Sequence, residues 1–208
     1  MSLYHETCEE FTKLTYSKAP APGGGSVASL VASLGAALGG MVGNLTTGKK
    51  KYAQYEEDIQ RLLSQTEELR ARFLRIMDDD VNNFLPLSKA YGMPTTTDEE
   101  KALKAAELEK CLKAAAGAPL ELISACAESV PLFEELQEKG SKLALSDVGC
   151  GIALIKAASD CAWLNALINI NMIKDEAYVN EIKDKYIPMV ADTAKKCDAI
   201  YAAVAAAL

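Results

Sequence analysis

The segment from Val27 to Asn44 constrains the fold more than any other part of the sequence, because ten of its eighteen residues are glycine, alanine or serine. An isolated helix of this composition is weak in water, since each glycine costs about 1 kcal/mol relative to alanine. It becomes stable only where neighbouring helices pack closely against it. We therefore predict a helix over residues 27–44 at the centre of a helical bundle. Its small residues are Ala28, Ser29, Ala32, Ser33, Gly35, Ala36, Ala37, Gly39, Gly40 and Gly43.

The rest of the chain also indicates helices. No segment alternates apolar and polar residues with the period of two that a half-buried strand requires. Apolar residues recur every three or four positions, which predicts further helices over about residues 4–14, 52–91, 98–112, 120–136, 146–173 and 176–206. Pro86 should kink or end the third helix, and Gly117 with Pro119 should interrupt the fourth. The sequence thus predicts an all-α fold, a single-domain bundle of long antiparallel helices spanning residues 1–208.

Charge and cysteine usage exclude several classes of protein. The formal net charge of −7 argues against a nucleic-acid partner, because clustered Lys and Arg bind phosphates. Six cysteines without a C-x-x-C pair are typical of small buried residues rather than of a metal site. Residues 1–18 do not resemble a signal peptide, and no long apolar run is free of glycine and polar residues. We expect a cytoplasmic protein without a membrane partner and, because its helices are long and rich in alanine, a homodimer.

The inventory of reactive side chains narrows the chemistry. The only histidine is His5, which disfavours histidine acid/base catalysis, Ser-His-Asp triads and histidine metal sites. The sequence also lacks a G-x-x-x-x-G-K-[ST] phosphate loop. Carboxylates, amides, hydroxyls, lysines and tyrosines remain, and we expect neither a metal nor a cofactor.

Asp80 is the first candidate for catalysis. It continues a seam of apolar residues that includes Phe73 and Ile76, where an apolar side chain is expected. A buried carboxylate is costly unless it is paired, hydrogen-bonded or protonated, so its presence there indicates a function. The alternative is that the helical register drifts and Asp80 lies at the surface beside Asp78 and Asp79.

The loop before the small-residue helix is a candidate for ligand binding. Pro22, Gly23, Gly24, Gly25 and Ser26 lie where backbone amides at a helix N-terminus can bind an anion, with Ser26 as the predicted N-cap. A flexible turn with a capping serine explains the same pattern. Another candidate is the lysine run that includes Lys49 and Lys50, which could bind a substrate with several carboxylates or simply be solvated.

Asn165, Asn169 and Asp147 complete the candidates. The two asparagines lie four residues apart, so they share one face of an apolar helix and could hold a planar heterocycle, or bond to another helix. Asp147, which follows Ser146, either caps the same helix or serves catalysis. Eighteen residues separate Asp147 from Asn165, which is roughly 27 Å along a helix. The two residues therefore serve two ends of a long ligand, or two chains combine to form each site.

These motifs, taken in order, resemble the cyclodeaminase/cyclohydrolase family along essentially the whole chain. The similar elements are Ala21-Pro22-Gly23-Gly24-Gly25-Ser26, Gly43-Asn44-Leu45-Thr46, Lys49-Lys50-Lys51-Tyr52, Asp80 with Phe84, Ser146-Asp147-Val148-Gly149, and Asn165 with Asn169. The family includes the C-terminal domain of formimidoyltransferase-cyclodeaminase and stand-alone bacterial methenyltetrahydrofolate cyclohydrolases.

The resemblance implies a dimeric all-α fold and a tetrahydrofolate substrate, with or without a polyglutamate tail. We expect a formimidoyltetrahydrofolate cyclodeaminase, which forms 5,10-methenyltetrahydrofolate and ammonia. One alternative is a methenyltetrahydrofolate cyclohydrolase on the same scaffold, which is favoured because this chain starts close to the glycine loop. The other is a non-catalytic folate-binding module. In this interpretation Asp80 or Asp147 is the acid/base, and Asn165 with Asn169 holds the pterin. The glycine loop and the lysine run hold the glutamate tail.

Overall fold

The computed structural model describes residues 2–208, which form helices and connecting turns without a strand. The prediction of an all-α, single-domain fold is confirmed. The six α-helices are α1 (Cys8–Tyr16), α2 (Gly24–Asn44), α3 (Glu56–Tyr91), α4 (Asp98–Lys139), α5 (Leu145–Ile170) and α6 (Glu176–Ala207). Short 3₁₀ turns cover Leu3–His5, Lys50–Tyr55 and Lys142–Ala144.

Helices α2 to α5 form a closed four-helix ring. Each of them packs against two neighbours, because α2 contacts both α3 and α5, and α4 contacts the same two helices from the opposite side. Helix α6 lies outside the ring on α4 and α5. Short connections at residues 92–97, 140–144 and 171–175 make consecutive helices antiparallel. One end of the ring therefore holds the start of α2 with the later parts of α3 and α5, and the other end holds the start of α5.

Helix α2 is central, as its small residues predict. A Cβ atom on Gly35 would lie 2.9 Å from the Gly151 carbonyl oxygen, so α2 and α5 approach each other closely at this pair. By length and composition, α2 and the segment Lys142–Ile170 could also cross a membrane. In this structure they pack against each other, and 56% of the apolar window of α2 is buried.

The predicted interruption at Gly117 and Pro119 is wrong, and Pro86 does not end the third helix. Helix α3 continues through Pro86 to Tyr91, and α4 runs unbroken through Pro119 and Pro131. Leu87, in the turn after Pro86, is 1% exposed, and much of α4 beyond Pro119 is also buried. The energy of this packing outweighs the backbone hydrogen bond that each proline removes.

The start of α2 also differs from the prediction. Gly23 is the N-cap of α2, and no side chain caps this end of the helix. Ser26 instead lies in the first turn, where its hydroxyl is free to bond to another helix. At the start of α4, Thr97 and Glu100 form a reciprocal capping box.

Candidate active site

A cavity of about 200 Å³ lies at the end of the ring where α2 begins. The N-terminal loop, the start of α2, the later part of α3, the middle of α4 and the end of α5 all contribute to it. It is lined by Pro20, Ala21, Gly23, Gly24, Gly25, Asp80, Phe84, Ala115, Pro119, Asn165, Ile168 and Asn169. Three separately predicted groups, the glycine loop, Asp80 and the two asparagines, thus meet in one cavity.

A larger groove of about 700 Å³ lies along α3 and α4 and shares no lining residue with this cavity. Its charged side chains include Arg72, which pairs with Glu121 at 3.1 Å and with Glu128 at 2.7 Å. Ion pairs of this kind at a surface are ordinary, and the groove contains no group with an unusual environment. The smaller cavity is the candidate site.

Asp80 is the only titratable residue in the cavity lining of the described residues. The Ser26 hydroxyl donates a hydrogen bond to Asp80 Oδ2 at 2.8 Å. Burial raises the pKa of Asp80 above its usual value, and the hydrogen bonds from the Ser26 hydroxyl and backbone amide partly oppose this rise. A carboxyl group with a raised pKa accepts a proton readily and can return it, which is the property of a general acid/base.

Side chains of other helices occupy the space of a Cβ atom at Gly25 and leave little room for one at Gly24. A Cβ on Gly25 would lie 2.7 Å from Asp80 Cγ, and a Cβ on Gly24 would lie 3.0 Å from Asn165 Nδ2. The helix backbone therefore contacts both polar side chains directly. Side chains of the protein itself therefore approach the backbone of these two glycines closely.

Asn165 and Asn169 each donate to their own helix. Asn165 Nδ2 bonds to the Cys161 carbonyl at 2.8 Å, and Asn169 Nδ2 bonds to the Asn165 carbonyl at 2.9 Å. Neither forms the inter-helix bond that was the alternative interpretation. Because the backbone bonds orient both amides, the two Oδ1 atoms remain as acceptors beside the cavity.

The sequence did not identify Ala115, Pro119 and Ile168 as lining residues. Pro119 has no N–H to give to the carbonyl of Ala115, four residues earlier, so that carbonyl loses its helical hydrogen bond at the cavity wall. A proline within an apolar helix was the available signal. Ile168 lies three residues after Asn165, and the helical repeat places it on the same face.

Other predicted site residues lie outside the cavity. Pro22 and Ser26 are buried behind it and do not line it. Lys49 and Lys50 are exposed, and Asp147 is half-buried in the first turn of α5. These three residues are at the opposite end of the ring, so one chain does not bring them to Asp80. Their roles remain predictions.

No group of three or more His, Cys, Asp and Glu side chains within residues 2–208 could hold a metal ion. The expectation of a reaction without metal or cofactor is untested and remains a prediction. The fold and the cavity together define a class of protein. It is an all-α protein with one buried acid and two oriented amides at a small cavity. This arrangement suits an enzyme that acts on a planar heterocycle.

Comparisons with known proteins agree with this class. The sequence profile described as formiminotransferase-cyclodeaminase matches residues 7–187. A methenyltetrahydrofolate cyclohydrolase from Methylorubrum extorquens is 38% identical over 200 residues, which cover 96% of each chain. A formimidoyltransferase-cyclodeaminase from Sus scrofa is 30% identical over 184 residues, and the chain spans only 34% of that longer protein. The crystal structure of formiminotetrahydrofolate cyclodeaminase from Thermotoga maritima matches with a TM-score of 0.83 at 27% identity, covering 99% of this chain and 97% of that one.

The chain belongs to the formiminotransferase-cyclodeaminase family. The family predicted from the motifs is confirmed, and so is the prediction of an enzyme. Cyclodeaminase and cyclohydrolase are both represented among the relatives, so the choice between the two reactions is left to the proposal below.

Proposed function

We propose that the protein is a methenyltetrahydrofolate cyclohydrolase, which interconverts 5,10-methenyltetrahydrofolate and water with 10-formyltetrahydrofolate. The observation that carries this proposal is that one proton-transferring acid, Asp80, faces the same cavity as the amides of Asn165 and Asn169. The relative from Methylorubrum extorquens, which is matched over 96% of each chain, is named for this reaction.

In the proposed mechanism Asp80 moves one proton. The methenyl carbon is cationic, and the charge of the Asp80 carboxylate stabilises it. Asp80 takes a proton from the attacking water, which bonds to that carbon and gives a tetrahedral intermediate. It then returns the proton to N5 as the bond from carbon to N5 breaks, and the remaining hydroxyl proton leaves to solvent as the formyl group forms on N10. This sequence uses no metal and no cofactor.

The size and polarity of the cavity support the binding of the pterin ring in particular. About 200 Å³ is below the roughly 300–1,000 Å³ of sites that enclose a whole drug-sized ligand. The ring presents amino and N–H donors, and the cavity offers acceptors in the Oδ1 atoms of Asn165 and Asn169 and the free carbonyl of Ala115. The aminobenzoyl and glutamate parts of the folate would extend beyond the cavity.

Formimidoyltetrahydrofolate cyclodeaminase is the second candidate function. The specific observation in its favour is the match along 99% of the chain to a solved cyclodeaminase. Asp80 could serve this reaction through the same type of intermediate, starting from the protonated, cationic formimidoyl group, by taking the proton of N10 as N10 attacks the formimidoyl carbon. Delivery of that proton to the departing amine would then release ammonia and leave the methenyl compound.

The absorbance of methenyltetrahydrofolate distinguishes the candidates. With the methenyl compound as substrate, a cyclohydrolase makes its absorbance fall faster than in the absence of protein. With the 5-formimidoyl compound, a cyclodeaminase makes the same absorbance appear. Loss in the first assay and none gained in the second supports our proposal, the reverse supports the second candidate, and no change in either leaves a non-catalytic folate-binding module.

We further propose that the protein is a homodimer that pairs through the α2/α5 strip, which we define as Leu34, Met41, Leu164 and Ile168. These apolar side chains are 52%, 47%, 66% and 68% exposed, on two helices that pack against each other. Large exposed apolar side chains grouped on neighbouring helices are typical of a protein interface. Ile168 also lines the cavity, so a second copy on the strip would cover its open side.

Sedimentation velocity tests the dimer. We expect the wild-type protein to sediment as a dimer and Leu164→Glu to sediment as a monomer with reduced activity, because a charge in an apolar interface is unpaired. Leu103→Glu is the matched control, since Leu103 is 64% exposed but lies on α4 outside the strip. A monomeric wild-type protein would refute the dimer.

Pairing of two copies in opposite directions would also explain the second group of predicted residues. Such a dimer would bring Asp147, Lys49 and Lys50 of the second copy towards the cavity that contains Asp80, with the lysines near the glutamate tail of a polyglutamylated substrate. If both Asp80→Asn and Asp147→Asn are inactive, mixing and refolding them should restore roughly a quarter of wild-type activity through mixed dimers. No recovery would instead indicate that each site is complete within one chain.

A further inference from the structure

The two carboxylate oxygens of Asp80 have different surroundings. Oδ2 accepts the hydrogen bond from the Ser26 hydroxyl at 2.8 Å. Oδ1 is the atom closest to the Cβ position of Gly25, and Gly25 lines the cavity. Oδ2 therefore has a hydroxyl partner, whereas Oδ1, the oxygen nearer to the Gly25 Cβ position, accepts no side-chain hydrogen bond within residues 2–208.

Ser26 is not available to a ligand. Its side chain is 0% exposed, and it does not line the cavity. Its hydroxyl must be the donor in the bond to Asp80, because an ionised carboxylate only accepts hydrogen bonds. The Ser26 backbone amide also lowers the pKa of Asp80. Ser26 thus favours the ionised acid through both its hydroxyl and its backbone amide.

Building on the acid/base role proposed above, we propose that Ser26 is a positioning residue and not a substrate-binding residue. Its hydroxyl keeps Oδ2 occupied and fixes the rotation of the carboxyl group, so that Oδ1 alone exchanges the proton with the substrate. This assignment replaces the prediction that the serine of the glycine loop contacts the ligand.

A fixed carboxyl group matters because proton transfer depends on geometry. With Oδ2 bonded to a donor, the proton that Asp80 takes up binds to Oδ1, at the cavity. Without the hydroxyl, the carboxyl group can rotate about its bond to Cβ and carry the proton on the oxygen that faces away from the substrate. Small misplacements of a reacting group cost up to about 10²-fold in rate.

The cavity lining has no titratable residue other than Asp80 within residues 2–208, so the effect of Ser26 on the pKa of Asp80 can be measured separately from that of other groups. The lining contributed by the N-terminal loop, α2, α4 and α5 contains no titratable residue within residues 2–208. On α3, Asp79 is adjacent in sequence, but burial, Glu121 and Asp78 raise its own pKa. Because the Ser26 hydroxyl favours the charged form of Asp80, its removal should raise the pKa of Asp80 further.

The test compares Ser26→Ala with Ser29→Ala. Ser29 is the matched control, because it is also 0% exposed on α2 but its hydroxyl donates to the Gly25 carbonyl and not to Asp80. For both variants, kcat and KM are measured against pH. The carboxyl ¹³C resonance of Asp80, identified by its absence in Asp80→Asn, is titrated in parallel.

We expect Ser26→Ala to lower kcat by about 10- to 100-fold with little change in KM. The acidic limb of its kcat/KM profile and the NMR titration midpoint should both move to higher pH. Ser29→Ala should behave as the wild type in both. A rise in KM with an unmoved acidic limb would overturn the proposal, because it would make Ser26 a binding residue. An unmoved NMR midpoint would overturn it as well, and this readout decides the question even if the wild-type protein catalyses neither folate reaction.

Discussion

Two aspartates on α3 show how one helix places the same side chain in opposite chemical environments. Asp58, near the start of α3, contacts Lys139 Nζ at 2.7 Å and Arg61 at 3.2 Å. Lys139 and then Arg61 hold the pKa of Asp58 below its usual value. Asp80, roughly 33 Å further along the helix, faces a cavity without a cation, and burial raises its pKa. The charged form of the Asp58 carboxylate is stabilised, whereas the Asp80 carboxylate can take up and release a proton.

The difference indicates which end of the bundle carries the chemistry. At Asp58 the cations come from α3 itself and from α4, and the carboxylate joins these two helices. At Asp80 the only partners are a serine hydroxyl and an amide from α2. A buried charge that no neighbour neutralises reduces the stability of the folded protein. Its presence is therefore explained by function and not by stability.

The largest expected effect separates the two aspartates by activity. Asp80→Asn should lower kcat by about 10²- to 10⁴-fold, because an amide cannot transfer the proton. Asp58→Asn should leave the rate near the wild-type value, since Asp58 lies at the other end of α3. Both are measured with the methenyltetrahydrofolate absorbance assay. Full activity of Asp80→Asn would remove the basis of the comparison.

Gly25→Ala should have the next largest effect. The added Cβ would lie 2.7 Å from Asp80 Cγ, so Asp80 or the start of α2 must shift, at a cost of about 1–3 kcal/mol in stability. We expect kcat to fall by about 10²-fold, because the acid is displaced from its position. Urea unfolding and the absorbance assay measure the two quantities.

Gly117→Ala is the control for this substitution. Gly117 lies within α4, and a Cβ there would meet nothing within 4 Å. It should gain about 0.5–1 kcal/mol in stability, since alanine is the better helix former. A stable and active Gly25→Ala variant would show that the contact between α2 and Asp80 is not required.

The sequence was sufficient to predict the features that depend on spacing within one helix. Asp80 stands where the seam of Phe73 and Ile76 requires an apolar residue, and Asn165 with Asn169 share a face because they lie four residues apart. The small residues of α2 likewise indicated a central helix, and the Gly35–Gly151 approach accounts for that composition. Each of these predictions needed only the helical period.

Features that depend on contacts between helices could not be predicted. Ser26 was interpreted as a cap, because its bond to Asp80 crosses 54 residues of sequence. Pro119 was interpreted as a helix break, because the packing that keeps α4 continuous comes from other helices. The spacing along α5 predicted that Asp147 lies far from Asn165, but the position of Asp80 beside Asn165 follows only from the three-dimensional arrangement.

Asn165→Ala should sharpen the comparison, because it tests an uncharged side chain at the cavity that contains Asp80. The loss of one neutral hydrogen bond of about 0.5–1.5 kcal/mol should raise KM by about 3- to 10-fold. The value of kcat should change little, because the amide does not transfer the proton. Asn180→Ala on α6, an exposed residue outside the cavity, is the control. An equal loss of kcat would instead give Asn165 a part in the chemical step.

The smallest effect is a difference of sign in the dependence of stability on pH. The pKa of Asp58 is lowered in the folded state, so its contribution to stability is present above its unfolded value of about 3.9 and is lost as the pH falls through the folded value. The pKa of Asp80 is raised, so its charged form opposes folding, and this penalty appears as the pH rises from the unfolded value through the folded value.

At pH 7, therefore, Asp58→Asn should melt below the wild type and Asp80→Asn should melt at or above it. Both differences should shrink at a pH below the lowered folded pKa of Asp58, because all three proteins are then neutral at these positions. Differential scanning calorimetry at the two pH values measures the signs. If Asp80→Asn proved the less stable variant at pH 7, the carboxylate of Asp80 would be favourable in the folded state. The contrast between the two ends of α3 would then have to rest on position and not on charge.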